Sequence, residues 1–247
     1  MNDSRINRLD EHFHIWKQKH FDEVSDYKNN KKDCYLKNYD NKKRDLYKLN
    51  IQESFTIDGI VDEEAWEGGE KILFILKEAN LGEKLSKTKD GELCVADDGK
   101  FWFQDCVKRD YEGEEKIDWR RGIFRRLKKI GIAKKVEIAK KTGITYVDNS
   151  FSLLSTAYMN INKRGGLGYA REDIINSYYR EYKDDILKEI RIIEPQIVAI
   201  CCGNQDYAKD LKEEINKTDW GKNVKVEMYY HPAMRWIKDE EYVKPIG

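Results

Sequence analysis

The sequence predicts an α/β fold, a three-layer αβα sandwich around a four-stranded, mainly parallel sheet. Two observations predict it. Apolar runs with strand character alternate with segments whose apolar residues recur every three or four positions, as in helices. The runs are also nearly continuous in apolar residues, which is typical of strands covered on both faces. The length of 247 residues is sufficient for one large domain.

Four segments have strand character. They are 71–76 (KILFIL), 151–161 (FSLLSTAYMNI), 196–203 (QIVAICCG) and 224–230 (VKVEMYY). A long helix is predicted between the second and third strands, because apolar residues recur there at helical spacing. These residues are Ile175, Tyr179, Tyr182, Ile186, Ile190 and Ile193. Pro195 ends this helix, and residues 206–217 predict a shorter helix before the fourth strand.

The first fifty residues differ from the rest, and we predict a helical N-terminal extension over 1–50 and an α/β domain over 51–247. The extension is polar, rich in Lys, Asn and Tyr, and lacks a long apolar run. Within it, four residues recur at spacings of three and four, which predicts a short amphipathic helix. They are Phe13, Trp16, His20 and Val24.

Charge and hydropathy exclude several classes of protein. The 46 Lys and Arg residues balance the 46 Asp and Glu residues, so the chain has no bulk attraction to nucleic acid. Nucleic-acid binding would therefore need a local basic surface. No run of about 18 apolar residues occurs, so we expect no membrane span. The N-terminal residues also lack the apolar region of a signal peptide.

Cysteine and histidine usage predicts neither disulfides nor a metal site. The five cysteines are odd in number and form no CxxC motif, which favours a reducing, cytoplasmic compartment. Cys201 and Cys202 are neighbours on a predicted strand, so they point to opposite faces and are expected to be buried. His12 and His14 are two residues apart, which does not place them on one helical face. We therefore expect no metal and no cofactor.

Polar and ionisable residues follow each predicted strand. The stretches are 77–83, 160–166, 203–204 and 231–236. In an open parallel sheet, ligands bind beyond the carboxyl ends of the strands, so these stretches are expected to meet at one edge. Each has a structural alternative, because acids favour first helical turns and Asn residues cap turns. Their occurrence together on one predicted edge favours a functional site.

The order and content of these stretches resemble the uracil-DNA glycosylase superfamily. Lys77-Glu78-Ala79-Asn80-Leu81 is similar to the first family motif, G-E-A-P-G, but lacks both glycines and the proline. Met159-Asn160-Ile161-Asn162-Lys163 is similar to T-N-V-V-K, with Asn160 and Lys163 in register. A strand that begins at Pro and ends at Gly, 195–203, follows a long helix, as in the family. His231-Pro232-Ala233 is similar to H-P-S, and the resemblance covers residues 71–236.

The resemblance implies a DNA glycosylase, which flips a base out of the stack and cleaves its bond to the sugar. Glu78, with Glu83 as second choice, would stabilise the sugar cation or orient water, and Asn80 could position water instead. His231 would donate a hydrogen bond to a base oxygen and so stabilise the departing anion. Relatives that hold an iron–sulfur cluster use four cysteines at a spacing that this chain lacks, so we expect no cluster.

The resemblance also implies residues that hold the base. Asn160 would hydrogen-bond to a pyrimidine edge, because its amide both donates and accepts. Lys77 and Lys163 lie near the same stretches and are further candidates. Phe103 and Trp102 are the candidate aromatic platform. The alternative, which the sequence leaves open, is that these two are core aromatic residues.

A basic segment, 119–141, is the candidate DNA-binding surface. It contains ten Lys and Arg residues and a single acid, Glu137. Its apolar residues share one helical face, which leaves the basic residues on another face that could follow phosphates. The alternative is a solvated helix neutralised by the acids at 110–118. The DNA-binding candidates are Arg125, Arg126, Lys128, Lys129, Arg164 and Arg235.

We therefore expect a DNA glycosylase that acts on a damaged or modified pyrimidine in single- or double-stranded DNA, as a monomer. One alternative is a catalytically inactive nucleic-acid-binding module of the same fold, and another is a glycosylase for hypermodified phage bases in defence. An enzyme acting on a free nucleotide has less support, because no Gly-rich phosphate-binding pattern is present. The glycosylase prediction requires Glu78, Asn160 and His231 to meet at one rim of the sheet.

Overall fold

A computed structural model describes most of the chain. The described residues are 4–30, 55–80, 85–87, 93–95, 102–112, 118–144, 150–166, 171–234 and 236–247. The α-helices among them are α1 (Arg5–Asn30), α2 (Glu63–Gly68), α3 (Trp102–Glu112), α4 (Asp118–Thr142), α5 (Glu172–Ile193) and α6 (Asp206–Lys217). The strands are β1 (Gly59–Ile60), β2 (Ile72–Asn80), β3 (Leu85–Lys87), β4 (Leu93–Val95), β5 (Thr156–Gly166), β6 (Ile197–Ile200) and β7 (Lys225–Met228).

Among the described residues, the main sheet is mixed and has five strands in the order β1-β5-β2-β6-β7. β2 pairs with β6, and β6 with β7, in parallel, in a register that aligns Ile75, Ile200 and Met228. β1 pairs with β5 in the antiparallel direction. The chain therefore has an α/β fold, and its four predicted strands are β2, β5, β6 and β7.

The prediction of a four-stranded sheet was wrong, because β1 adds a fifth strand at the edge. β1 has only two residues, which is too short to produce an apolar run or an alternating pattern that sequence could detect. A separate two-stranded antiparallel sheet pairs β3 with β4, and each of these strands has only three residues.

The long helix α5 confirms the helical spacing read from the sequence. All six of the apolar residues that predicted it are buried. It ends where expected, since Glu194 has a left-handed φ of 57° and Pro195 follows. α6 occupies the other predicted helical segment. The helix predicted in the N-terminal extension is α1, and its four predicted apolar-face residues are buried, but its 26 residues make it longer than the short helix predicted.

The chain divides into two compact units. The first unit comprises 1–58, 77–101 and 160–193, and the second comprises 59–76, 102–159 and 194–247. In the first unit α1 packs against α5 through a cluster of buried aromatic residues. The members of this cluster, which we call the aromatic cluster, are Phe13, Trp16, His20, Phe55, Tyr178 and Tyr182. The predicted boundary at residue 50 stays a prediction.

The second unit has its own apolar core. It joins one face of β2 and β6, represented by Phe74 and Ala199, to α3 and α4. The residues that alternate with these, such as Ile75 and Ile200, are buried as well, so both faces of the strands are covered. Cys201 and Cys202 are buried free thiols, as expected. Among the described residues, no helix is long and apolar enough to cross a bilayer.

Candidate functional site

The carboxylate of Glu78 and the amide of Asn162 form a hydrogen bond in the first unit. Glu78 lies near the end of β2 and is half-buried, whereas Asn162 lies on β5 and is fully buried. Asn162 Nδ2 donates to Glu78 Oε2 at 2.9 Å. Asn162 Oδ1 accepts from the backbone N–H of Arg164 at 3.0 Å, which fixes which way the amide faces. The contact therefore joins the two strand-end stretches that contain Lys77-Glu78 and Asn162-Lys163.

Lys77 is tied to the first turn of α5. It is buried, and its ammonium forms an ion pair with the carboxylate of Glu172. Successive residues of a strand point to opposite faces, so this pair lies on the other side of β2 from Glu78. Lys77 thus helps to fix the strand end that carries Glu78.

Asn160 is held by Asp58. Its backbone N–H donates to Asp58 Oδ2 at 2.6 Å, and its Nδ2 donates to Asp58 Oδ1 at 3.3 Å. The side-chain oxygen has no hydrogen-bond partner among the described residues, and Asn160 is 1% exposed. A role in reading a base would require access that this buried arrangement does not provide, so that role stays a prediction.

Lys163 lies between two carboxylates in the interior of the first unit. Its Nζ is 2.5 Å from Asp58 Oδ2 and 2.8 Å from Glu189 Oε2, and all three side chains are fully buried. Burial disfavours the ammonium, but the two carboxylates outweigh it and raise the pKa of Lys163. Burial also raises the pKa of Glu189, to about 7, although Lys163 opposes this. We call Asp58, Lys163 and Glu189 the buried triad.

Two aromatic rings complete the surroundings of the Lys163 ammonium. Nζ lies 5.4 Å from the ring centroids of Phe13 and Trp16, both on α1. Cations are attracted to the faces of aromatic rings within about 6 Å. The ammonium is therefore fully occupied by protein contacts in this structure.

Arg164 is similarly neutralised within the first unit. It is 2% exposed, and its Nη2 donates to Glu23 Oε2 on α1 at 2.6 Å. The hydroxyl of Tyr182 donates to the same carboxylate oxygen at 2.5 Å. A DNA phosphate would have to displace Glu23 to reach this guanidinium, so the proposed DNA contact stays a prediction.

His231 belongs to the second unit and lies in the loop after β7. Its carbonyl accepts from the N–H of Met234 at 2.9 Å, and its Nδ1 accepts from the N–H of Ala233 at 3.3 Å. An imidazole nitrogen that accepts carries no proton, so the neutral ring has its proton on Nε2. His231 is half-buried.

Phe103 lies in the core of the second unit. Its ring stacks on Tyr158 with 4.1 Å between the centroids, and it meets Phe124 edge to face at 5.4 Å. Phe103 is fully buried. Phe103 is therefore a core aromatic residue, which is the alternative that the sequence left open.

Helix α4 carries its predicted basic residues, but several are paired with acids. Asp239 accepts from Arg126 Nε at 3.2 Å and from Lys129 Nζ at 3.0 Å, and lies 3.2 Å from Arg125 Nη2. The hydrogen bond from Lys129 is the largest cause of a lowered pKa at Asp239. Arg125 stays largely exposed, and Lys128 is half-buried.

Some candidates lie outside the described residues. These are Glu83, Arg235, and the side chains of Asn80 and Trp102. Glu78 and Asn160 belong to the first unit and His231 to the second. The expectation that they meet at one rim therefore stays a prediction. Within the described parts of the chain, no three His, Cys, Asp or Glu side chains form a group suited to a metal ion.

The sequence interpretation missed four residues that organise the strand ends, namely Glu23, Asp58, Asn162 and Glu189. Glu189 left a detectable signal, because it falls on the apolar face of α5 one turn after Ile186 and next to Ile190. A charge on such a face indicates a buried partner.

No family model, curated protein or solved structure matches the chain.

Proposed function

We propose that the chain is a DNA glycosylase of three-layer αβα architecture that acts on a damaged or modified pyrimidine. The observation that carries the proposal is the hydrogen bond between Asn162 and Glu78 at 2.9 Å. It joins two strand-end motifs that are far apart in sequence and fixes the orientation of a half-buried carboxylate. The covered faces of β2 and β6 support the layered architecture.

Glu78 is assigned to the sugar side of the reaction. Cleavage of the bond between the base nitrogen and C1′ leaves the electron pair on the base and positive charge on the sugar. A carboxylate stabilises that cation by its charge, and accepts a proton from the water that adds to C1′. Because Asn162 holds Oε2, the carboxylate is preoriented and needs little rearrangement during the reaction.

His231 is assigned to the base side. The neutral ring with its proton on Nε2 donates a hydrogen bond to the base oxygen, where the negative charge of the departing base accumulates. The N–H of Ala233 selects this form of the ring, since it occupies Nδ1. Asn160, Lys77 and the exposed Arg125 are retained as candidates for base and phosphate contacts.

A base-release assay tests the assignment. Duplex and single-stranded oligonucleotides that contain uracil, hypoxanthine, xanthine or hypermodified cytosines are incubated with protein, and alkali then cleaves at abasic sites. We expect release from at least one oligonucleotide, and loss of release in Glu78→Gln and His231→Ala. Glu181→Gln and His14→Ala are matched controls, because both residues are exposed. Release that persists in both site variants would remove the assignment.

A second candidate function is a nucleic-acid-binding module without catalysis. One observation favours it: Asn160, the candidate for reading the base, is committed to a buried contact with Asp58, whereas Arg125 is largely exposed. Such a module would bind oligonucleotides in a gel-shift assay but release no base from any of them. Release by the wild-type chain would exclude it.

A further inference from the structure

We propose that Arg126 is a positioning residue for His231, an inference that rests on the proposed function. Arg126 lies on α4, and its side chain is 12% exposed. Its Nη1 donates to the carbonyl oxygen of Pro232 at 2.6 Å and to that of Met234 at 2.9 Å. One guanidinium nitrogen thus holds the loop after β7 on both sides of Ala233.

The loop transmits this contact to the imidazole. Ala233 lies between the two carbonyl groups that Arg126 holds, and its N–H is the donor to His231 Nδ1. The N–H of Met234 also donates to the carbonyl of His231, which closes the turn. A change in the position of either carbonyl therefore moves the N–H that selects the protonated nitrogen of the ring.

Two residues from the C-terminal segment hold Arg126 in turn. Asp239 Oδ1 accepts from its Nε at 3.2 Å, and the ring of Tyr242 lies 4.1 Å from its guanidinium carbon. The hydroxyl of Tyr242, which is a fully buried residue, donates to the same carbonyl of Met234. The guanidinium is therefore fixed on one edge by a carboxylate, on one face by a ring, and at Nη1 by the loop.

Only a guanidinium can make this set of contacts. It is planar, presents its N–H groups in a fixed fork and stacks on aromatic rings, whereas a lysine ammonium is a compact charge on a flexible stem. Arg126→Lys therefore keeps the charge but loses the fork. The matched control is Arg125→Lys, because Arg125 is the neighbouring residue on α4, also contacts Asp239, and is largely exposed.

Comparison of the two lysine variants distinguishes a positioning role of Arg126 from a role in phosphate binding. If both arginines act only as positive charges, the two lysine variants behave alike, since each preserves the charge. If Arg126 positions the loop, only its variant changes the imidazole. Tyr242→Phe is a second, milder variant, because it keeps the ring under Arg126 and removes the hydroxyl that holds Met234.

Nitrogen NMR of histidine side chains measures the ring directly and needs no activity. The chain has four histidines, so comparison with His231→Ala assigns the signal of His231. At about pH 9, where an imidazole is neutral, we expect the wild-type shifts of a ring protonated on Nε2. Arg125→Lys should reproduce them, whereas Arg126→Lys and, more weakly, Tyr242→Phe should show a mixture of both protonated forms.

The base-release assay supplies the second measurement. We expect Arg126→Lys to lower kcat by about a hundredfold with a smaller change in KM, which is the order of loss that a 1 Å misplacement of a reacting group produces. Arg180→Lys, which preserves the charge at an exposed residue of α5 outside the proposed site, should stay within about twofold of wild type.

The outcomes are distinguishable. Unchanged His231 shifts in both Arg126→Lys and Tyr242→Phe overturn the inference, as does an equal loss of kcat in Arg125→Lys and Arg126→Lys. If Arg126→Lys does not fold, Tyr242→Phe alone decides in the same way. Changed shifts together with no base release by the wild-type chain support the loop geometry and overturn the proposed function instead.

Discussion

Replacement of Glu189 by Gln tests the electrostatics of the buried triad. Glu189 is fully buried beside Lys163, and burial raises the pKa of its carboxyl from 4.5 to about 7, against the attraction of Lys163 and with the help of Asp58. A group whose folded-state pKa is raised binds protons more tightly in the folded state. The stability that it contributes is fully present below the unfolded pKa and is lost as the pH rises through the folded pKa.

The magnitude follows from the pKa change. A tenfold change in proton affinity corresponds to about 1.4 kcal/mol, so a rise from 4.5 to about 7 corresponds to about 3 kcal/mol. The free energy of unfolding should therefore lose about 3 kcal/mol through Glu189 between pH 4.5 and neutral pH. Glutamine does not titrate, so this loss is absent from Glu189→Gln.

Urea unfolding at several pH values between 4.5 and about 8 measures the effect. Burial lowers the pKa of His12, to about 4, and also that of His20, so these residues add stability as the pH rises. Their contribution is the same in both proteins, and the informative quantity is the difference between the two curves. Glu181→Gln, an exposed change on the same helix, is the control. If the wild-type and Glu189→Gln curves keep a constant separation, the raised pKa is wrong.

Two further predictions concern stability. Lys163→Met should lower the free energy of unfolding by about 3–5 kcal/mol in chemical denaturation, because removal of one partner leaves the buried carboxylates uncompensated. A loss below about 1 kcal/mol, as for an exposed ion pair, would contradict the ion pairs described for the buried triad. Gly131→Ala should cost about 1–3 kcal/mol, since the added Cβ would lie 2.3 Å from the ring of Phe151. At Gly122 on the same helix an added Cβ meets open space, so Gly122→Ala should stabilise the protein by about 1 kcal/mol. Equal melting temperatures of the Gly131→Ala and Gly122→Ala variants would refute the steric reasoning.

Much of the fold was predictable because the relevant signals are local. Residues 197–200 are a continuous apolar run between Pro195 and Gly203, and α5 repeats its apolar residues over about five turns. Both patterns follow from burial of the segment itself. β1 is different, because its two residues become a strand only through pairing with β5. No property of Gly59 and Ile60 alone specifies that partner.

The location of candidate residues was more predictable than their partners. The topology of a parallel sheet brings strand ends together, which directed attention to Glu78 and His231. Sequence could not decide which asparagine contacts Glu78, because Asn160 and Asn162 are two apart and point to the same face of β5. The partner of each asparagine depends on neighbouring segments. Asp58 accepts a hydrogen bond from the amide of Asn160, and Glu78 accepts one from the amide of Asn162.

The N-terminal helix is part of the scaffold of the first unit rather than an accessory to it. Glu23 on α1 is the partner of the buried guanidinium of Arg164, and Lys19 forms an ion pair with Asp185 at 2.7 Å. His12 Nε2 also donates to the carbonyl of Asp185 at 2.9 Å. Without α1, Arg164 would lose its ion pair with Glu23, and breaking a buried ion pair by removing one partner costs several kcal/mol. Because the N–H of Arg164 also fixes the amide that orients Glu78, the candidate site depends on a helix that its own motifs do not include.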